Sequence, residues 1–182
     1  MRNFIGLAVG LLILASCDRP EVPAEAPAPA APAFSHAMTS DLSGYYMPAG
    51  DVRIGKWSLD HVFVGQATDF QAWEGGDRSA TFGPVMLQFD DVTSPMVQTE
   101  IGEARSVTAR VLPTAYEVTD SRIRFEGRSP ELGAVRFEGM LDPGALATSR
   151  RNLGDEGVVV RGELKVGEAP AQRVQMRWWG GD

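Results

Sequence analysis

Cysteine is nearly absent. Cys17 is the only one in 182 residues, so no intrachain disulfide can form and no cysteine-based zinc site can be assembled. Histidine is almost as scarce, with His36 and His61 the only two, which leaves few groups able to move protons near neutral pH. Two of the 17 basic residues are lysine, the rest arginine, and they form no basic run. A surface that grips phosphates needs such a run, and the formal net charge of −7 opposes it, so neither nucleic-acid binding nor electrostatic docking on anionic lipid is expected. Long apolar runs are missing too. The longest, residues 4–14, has about 11 residues where a membrane-spanning helix needs ~20.

That run follows Met1-Arg2-Asn3, a short positive start, and has the length of a signal-peptide core. It leads into Leu14-Ala15-Ser16-Cys17: a branched apolar residue, two small residues and the cysteine. The stretch resembles the lipobox of bacterial lipoproteins. The resemblance implies diacylglycerol on the Cys17 sulfur, cleavage between Ser16 and Cys17, and acylation of the new amino group. Two or three acyl chains, at ~0.8 kcal/mol per buried methylene, hold a protein firmly to a bilayer where one chain holds marginally. Asp18 after the cysteine resembles the enteric signal for retention at the inner membrane, so the periplasmic face of that membrane is favoured over the outer membrane. Loss of Arg2 with the leader takes the charge to −8.

From 19 to 34 the chain reads R-P-E-V-P-A-E-A-P-A-P-A-A-P-A-F. Frequent proline removes backbone donors and favours extended polyproline conformation at ~3.1 Å per residue, and little apolar surface is present to bury. The expected organisation is therefore a signal peptide at 1–16, a lipidated cysteine and disordered Pro/Ala-rich tether at 17–42, and a single domain at 43–182.

Within that domain the hydrophobic period is two. Val160, Leu164 and Val166 alternate with Arg161, Glu163 and Lys165, and Val174, Met176 and Trp178 alternate with Arg173, Gln175 and Arg177. Trp57, Leu59, His61 and Phe63 alternate with Ser58, Asp60, Val62 and Val64 and are assigned to one face; Val85, Leu87 and Phe89 follow, then Val107, Ala109 and Val111. The near-repeats I-R-F-E-G at 123–127 and V-R-F-E-G at 135–139 predict a hairpin. With Phe125 opposite Phe137, Arg124 meets Glu138 and Glu126 meets Arg136, whereas a two-residue slip opposes like charges. Asp142 and Pro143 mark the start of a short helix. Glycines at 55, 65, 83, 127, 139 and 162 permit bulges and strong coiling. The fold expected is all-β: an antiparallel barrel or sandwich of about eight strands with one short helix.

The run W-S-L-D-H-V-F-V at 57–64, with the late helical turn and closing strands, resembles the YceI-like periplasmic barrels that enclose long isoprenoid lipids. That resemblance implies a lipocalin-like carrier of an apolar ligand. Those proteins separate the aspartate and histidine by a few residues, whereas Asp60 and His61 are adjacent here.

No catalytic motif is found. There is no G-x-S-x-G elbow, Cys17 is consumed by acylation, and no calcium-loop spacing or other metal or cofactor signature appears. Asp90, Asp91 and Glu74 are the carboxylates that could serve a hydrolase, although Asp90-Asp91 reads equally as a strand end. His36 is expected to be mobile at the end of the tether. His61 is assigned either to an inward or rim-facing position with a satisfied hydrogen bond or to a polar contact in a ligand cavity. Phe70 and Trp73 lie in the stretch 68–78, read as a polar loop whose aromatics form a hydrophobic lid or a contact patch. Trp178 and Trp179 divide between core and surface. The ligand-contact candidates are thus His61, Phe70, Trp73 and Trp178. The expected function is a membrane-anchored, non-enzymatic binding or scaffold module whose partner is an envelope protein or an apolar small molecule.

Overall fold

The computed structural model describes residues 33–100 and 102–181. The stretch expected to be a signal peptide, Cys17 and most of the expected tether lie outside the described residues. In chain order the elements are β1 (Phe34–Ala37), β2 (Gly44–Pro48), β3 (Arg53–Ile54), β4 (Trp57–Val64), α1 (Ala67–Glu74), β5 (Val85–Asp91), β6 (Met96–Thr99), β7 (Gly102–Arg105), β8 (Thr108–Val111), β9 (Pro113–Thr119), β10 (Arg122–Ser129), β11 (Gly133–Leu141), α2 (Pro143–Arg151), β12 (Val160–Val166) and β13 (Gln172–Trp179).

Eleven strands form one sheet in the order β1-β9-β10-β11-β12-β13-β2-β4-β5-β8, with β3 on β4 beside this path, while β6 and β7 form a separate hairpin. Every pairing in the main sheet is antiparallel except β1 with β9, which is parallel. The sheet curls into a half-barrel. The β8 end curls back on the sheet, because β8 runs into β9 through Leu112 alone and packs on β10. The contact is close: a Cβ on Gly127 of β10 would stand 2.7 Å from the Val111 side chain and 2.6 Å from the Leu112 carbonyl oxygen.

The β10–β11 hairpin has the register that its charges select. Phe125 pairs with Phe137, Arg124 with Glu138 and Glu126 with Arg136. Gly127 and Gly139 lie on the inner face, where the rings of Phe125 and Phe137 fold over them. Gly139 pairs with Gly162 of the next strand, where a Cβ on Gly162 would stand 2.8 Å from the Gly139 Cα, so the two backbones approach closely. α2 starts at the expected cap: the Asp142 carboxylate accepts from the Ala145 N–H at 3.0 Å, with Pro143 in the first turn.

Three expectations need correction. The paired and packed chain begins ahead of residue 43, since β1 lies within the stretch assigned to the tether and Leu42 is buried. Phe34 supplies the reason, because its ring packs on Trp73 and Tyr116 with centroids 6.2 and 5.2 Å away. The stretch 68–78 is not a loop through its length: residues 67–74 are helical, and Phe70 and Trp73 fall one turn apart on the buried face. The all-β class is as expected, with more strands than the about eight expected and a second short helix.

The interior is one contiguous cluster in which Tyr46, Phe70, Phe89, Phe125 and Phe137 are among the largest fully buried side chains. No helix among the described residues is long and apolar enough to cross a membrane.

Candidate functional site

The phase of β4 changes in mid-strand. Leu59 pairs with Phe89 and His61 with Gln88, so two steps along β4 match one along β5 and Asp60 is the extra residue of a β-bulge. Before the bulge Trp57 and Leu59 are buried; after it Val62 and Val64 are. Strict alternation would have put His61 and Phe63 inside. The bulge instead places Asp60, His61 and Phe63 on the outer face, so the assignment of His61 and Phe63 to the face of Trp57 and Leu59 is overturned. His61 Nδ1 lies 2.7 Å from Asp60 Oδ2.

Around the bulge the outer face carries two rows that cross the strands. The first is aromatic and apolar: Trp179 of β13 pairs with Tyr45 of β2, Tyr45 with Phe63 of β4, and Phe63 with Met86 of β5. Ring centroids are 5.4 Å apart for Tyr45 and Trp179 and 5.3 Å for Tyr45 and Phe63, and Phe82 extends the row 5.3 Å beyond Phe63. Trp179 is 45% exposed and Phe82 39%. The second row is polar: His61 pairs with Gln88 and Gln88 with Arg110 of β8. Gln88 Nε2 donates to Asp60 Oδ2 at 3.4 Å, and Arg110 donates to Gln88 Oε1 at 3.3 Å and to the Thr81 carbonyl at 3.1 Å. The His61 ring meets Tyr45 edge-on at 5.0 Å and joins the rows.

Asp90 borders the polar row. Partial burial, followed by the negative charge of Asp60, pushes its carboxyl above the usual carboxylate range, with His61 and Arg105 opposing. Its Oδ1 is buried without a hydrogen-bond partner among the described residues. Asp91 faces the other way and has a structural role. Hydrogen bonds from Lys56 Nζ at 2.7 Å and from the Thr93 hydroxyl at 2.6 Å hold its carboxyl down at about 2.

The other candidates are placed elsewhere. Phe70 and Trp73 pack on one side of α1 with Phe34, His36 and Tyr116. There Glu74 accepts from the Tyr116 hydroxyl at 3.0 Å and meets His36 Nδ1 at 2.9 Å, while Arg78 stacks 4.5 Å over Phe34. Burial, followed by the bond to Glu74, raises the Tyr116 hydroxyl above its ordinary range. The expectation of a mobile His36 is thereby corrected, because it is a paired β1 residue held by α1. Trp178 turns towards the core, donates to the Ser43 carbonyl at 3.0 Å and lies 4.8 Å beneath the Arg150 guanidinium, which ties α2 to the sheet. Of the four contact candidates only His61 stands in the outer rows. Glu74, Asp90 and Asp91 each have separate surroundings and form no shared cleft.

Sequence reasoning missed Tyr45 and Gln88 as neighbours of His61, and Phe63 and Arg110 beyond them in the two rows. The only local sign was the polar pair Asp60-His61 interrupting an apolar alternation, which is what a bulge looks like in one dimension. Among the described residues no group of three histidine, cysteine or acidic side chains is arranged to hold a metal. The fold and this surface define an all-β half-barrel protein with an aromatic and polar outer face. Comparison with protein-family models, with curated proteins and with solved structures returned no match.

Proposed function

We propose that the chain is a lipoprotein of the bacterial envelope, anchored through Cys17 on the periplasmic side, whose β domain is a non-enzymatic binding module. Asp18 favours the inner membrane. The observation that carries the binding role is the outer face of β13, β2, β4, β5 and β8, where aromatic rings in register stand beside a linked polar row. Half-exposed Trp179 and Phe82 spend apolar area on solvent there, which is unfavourable unless a partner covers it. A carrier with its ligand inside the half-barrel is less well supported, since Phe89, Phe125, Phe137 and their neighbours occupy that volume. A hydrolase that pairs Glu74 with Asp90 or Asp91 lacks convergence of those groups.

Labelling of cells with a palmitate analogue, followed by fractionation, tests the anchor. The natural chain is expected to be labelled and retained in washed membranes, and Cys17→Ser to be neither labelled nor retained. A serine variant processed and retained like the natural chain would refute the anchoring.

A further inference from the structure

We infer that the cleft where β8 meets the end of β10 is an anion site, which holds the phosphate group of a small phosphate monoester between Arg110 and Arg128. The cleft uses none of the aromatic rings of the outer face, and Arg110 alone is common to both. It exists because the pairing of the sheet stops there. β8 is the last strand in the order, and β10 pairs with β9 only as far as Gly127, opposite Pro113, which has no N–H to donate. The opening is a cavity of about 380 Å³ lined by Ala80, Thr81, Thr108, Arg110, Leu112 and Arg128. That is enough room for a small organic molecule.

Charge selects the ligand. Two guanidinium groups line the cleft and, among the described residues, no acidic side chain does. Elsewhere on β10 and β11 the arginines are neutralised across the strands: Arg122 and Arg124 reach Glu138, and Arg136 reaches Glu126. Arg128 has no such ion pair among the described residues. Arg110 has hydrogen bonds but no counter-charge, because it donates to the Thr81 carbonyl and to the Gln88 amide oxygen, both neutral. Those bonds fix the guanidinium and leave its charge and its other N–H groups to an incoming ion. Two uncompensated positive charges suit a phosphate monoester, which carries about −1.5 to −2 at pH 7, better than the single charge of a carboxylate. Arginine forks bind phosphate oxygens in pairs, Thr81 and Thr108 bring hydroxyls, and Ala80 and Leu112 give the organic part an apolar wall. The net charge of −7 does not defeat this. Exposed charges more than about 10 Å away are largely screened at 0.1 M salt, so a small ion responds to the nearby pair, whereas an extended polyanion meets the whole surface.

The test is calorimetric titration of the full-length chain in nonionic detergent micelles. One arm adds glycerol 3-phosphate; the other adds micelles doped with phosphatidic acid, which carries the same phosphate monoester on a lipid. Saturable binding is expected, weakened about tenfold or more by Arg128→Gln and by Arg110→Gln, as befits loss of a charge-assisted contact. Arg161→Gln removes the same charge from an exposed position of β12 outside the cleft and should leave binding unchanged. Glycerate, a carboxylate of similar size, should bind more weakly than glycerol 3-phosphate. Arginine-dependent binding of glycerol 3-phosphate assigns the site to a soluble ester, and the same dependence confined to the doped micelles assigns it to a lipid headgroup. Absence of saturable binding in both arms overturns the inference. So does binding that either cleft variant leaves intact, equal weakening by Arg161→Gln, or glycerate binding as tightly as the phosphate.

Discussion

Asp90 and Asp91 are neighbours in sequence with opposite fates. Asp90 sits on the outer face beside Asp60, where burial and like charge resist its ionisation. Asp91 turns inward to Lys56 and Thr93, which stabilise its charge. Because its folded-state pKa lies below the unfolded one, Asp91 stabilises the fold above about pH 4, and that contribution is lost as pH falls towards about 2. Asp91→Asn should therefore melt at lower temperature than the natural chain at pH 7, with the gap narrowing as the pH approaches 2. Thermal melts of both chains across that range measure it, and a gap independent of pH would contradict the assignment. Side-chain chemistry of this kind was not legible beforehand, since a D-D pair at a strand end carries no mark of which carboxylate has a lysine near it.

Among the elements, the β10–β11 hairpin shows how much local pattern can specify. Opposed arginines and glutamates select one register, and a slip by two would set Arg124 against Arg136. The helix α2 is equally local, as Asp142 caps it and Pro143 fits its first turn. At Gly139 the constraint comes from its own strand and the neighbouring one, because an added Cβ would lie 2.7 Å from both the Phe137 ring and a Val160 methyl. Gly139→Val should cost about 2–3 kcal/mol through overpacking. Urea unfolding is expected to show a lower midpoint with an unchanged slope. The helix α1 was missed although its ends carried signals. The Asp69 carboxylate accepts from the Gln66 N–H at 2.8 Å, and Gly75 closes the helix. Eight residues of mixed polarity gave too short a window for a period of 3.6 to stand out.

For the domain as a whole, the start of the folded chain matters most. β1 is an edge strand paired in parallel with β9, and Phe34 and His36 bind it to α1 through Trp73, Phe70 and Glu74. A chain beginning at Ser43 would strip Phe34 from Trp73 and Tyr116. The expected loss is about 2–4 kcal/mol, from the range for truncating large apolar side chains. Trp73 emission should shift to the red, and a chain from Pro32 should show neither effect. The proline-rich composition up to Pro32 concealed this strand, because A-F-S-H-A gains its stability from a partner strand about 80 residues later.

Strands, the central hairpin register and the α2 cap all follow from neighbours along the chain. Each depends on contacts within a few residues or on a pattern repeated at a fixed interval, so one dimension suffices to read them. The bulge at Asp60, the parallel docking of β1 and the gathering of Tyr45, Phe63, Gln88, Arg110 and Trp179 on one face depend on pairings between distant segments. A single extra residue reverses which side of β4 meets the core, and packing of Val62 and Val64 against the interior, not any local preference, fixes where it is inserted.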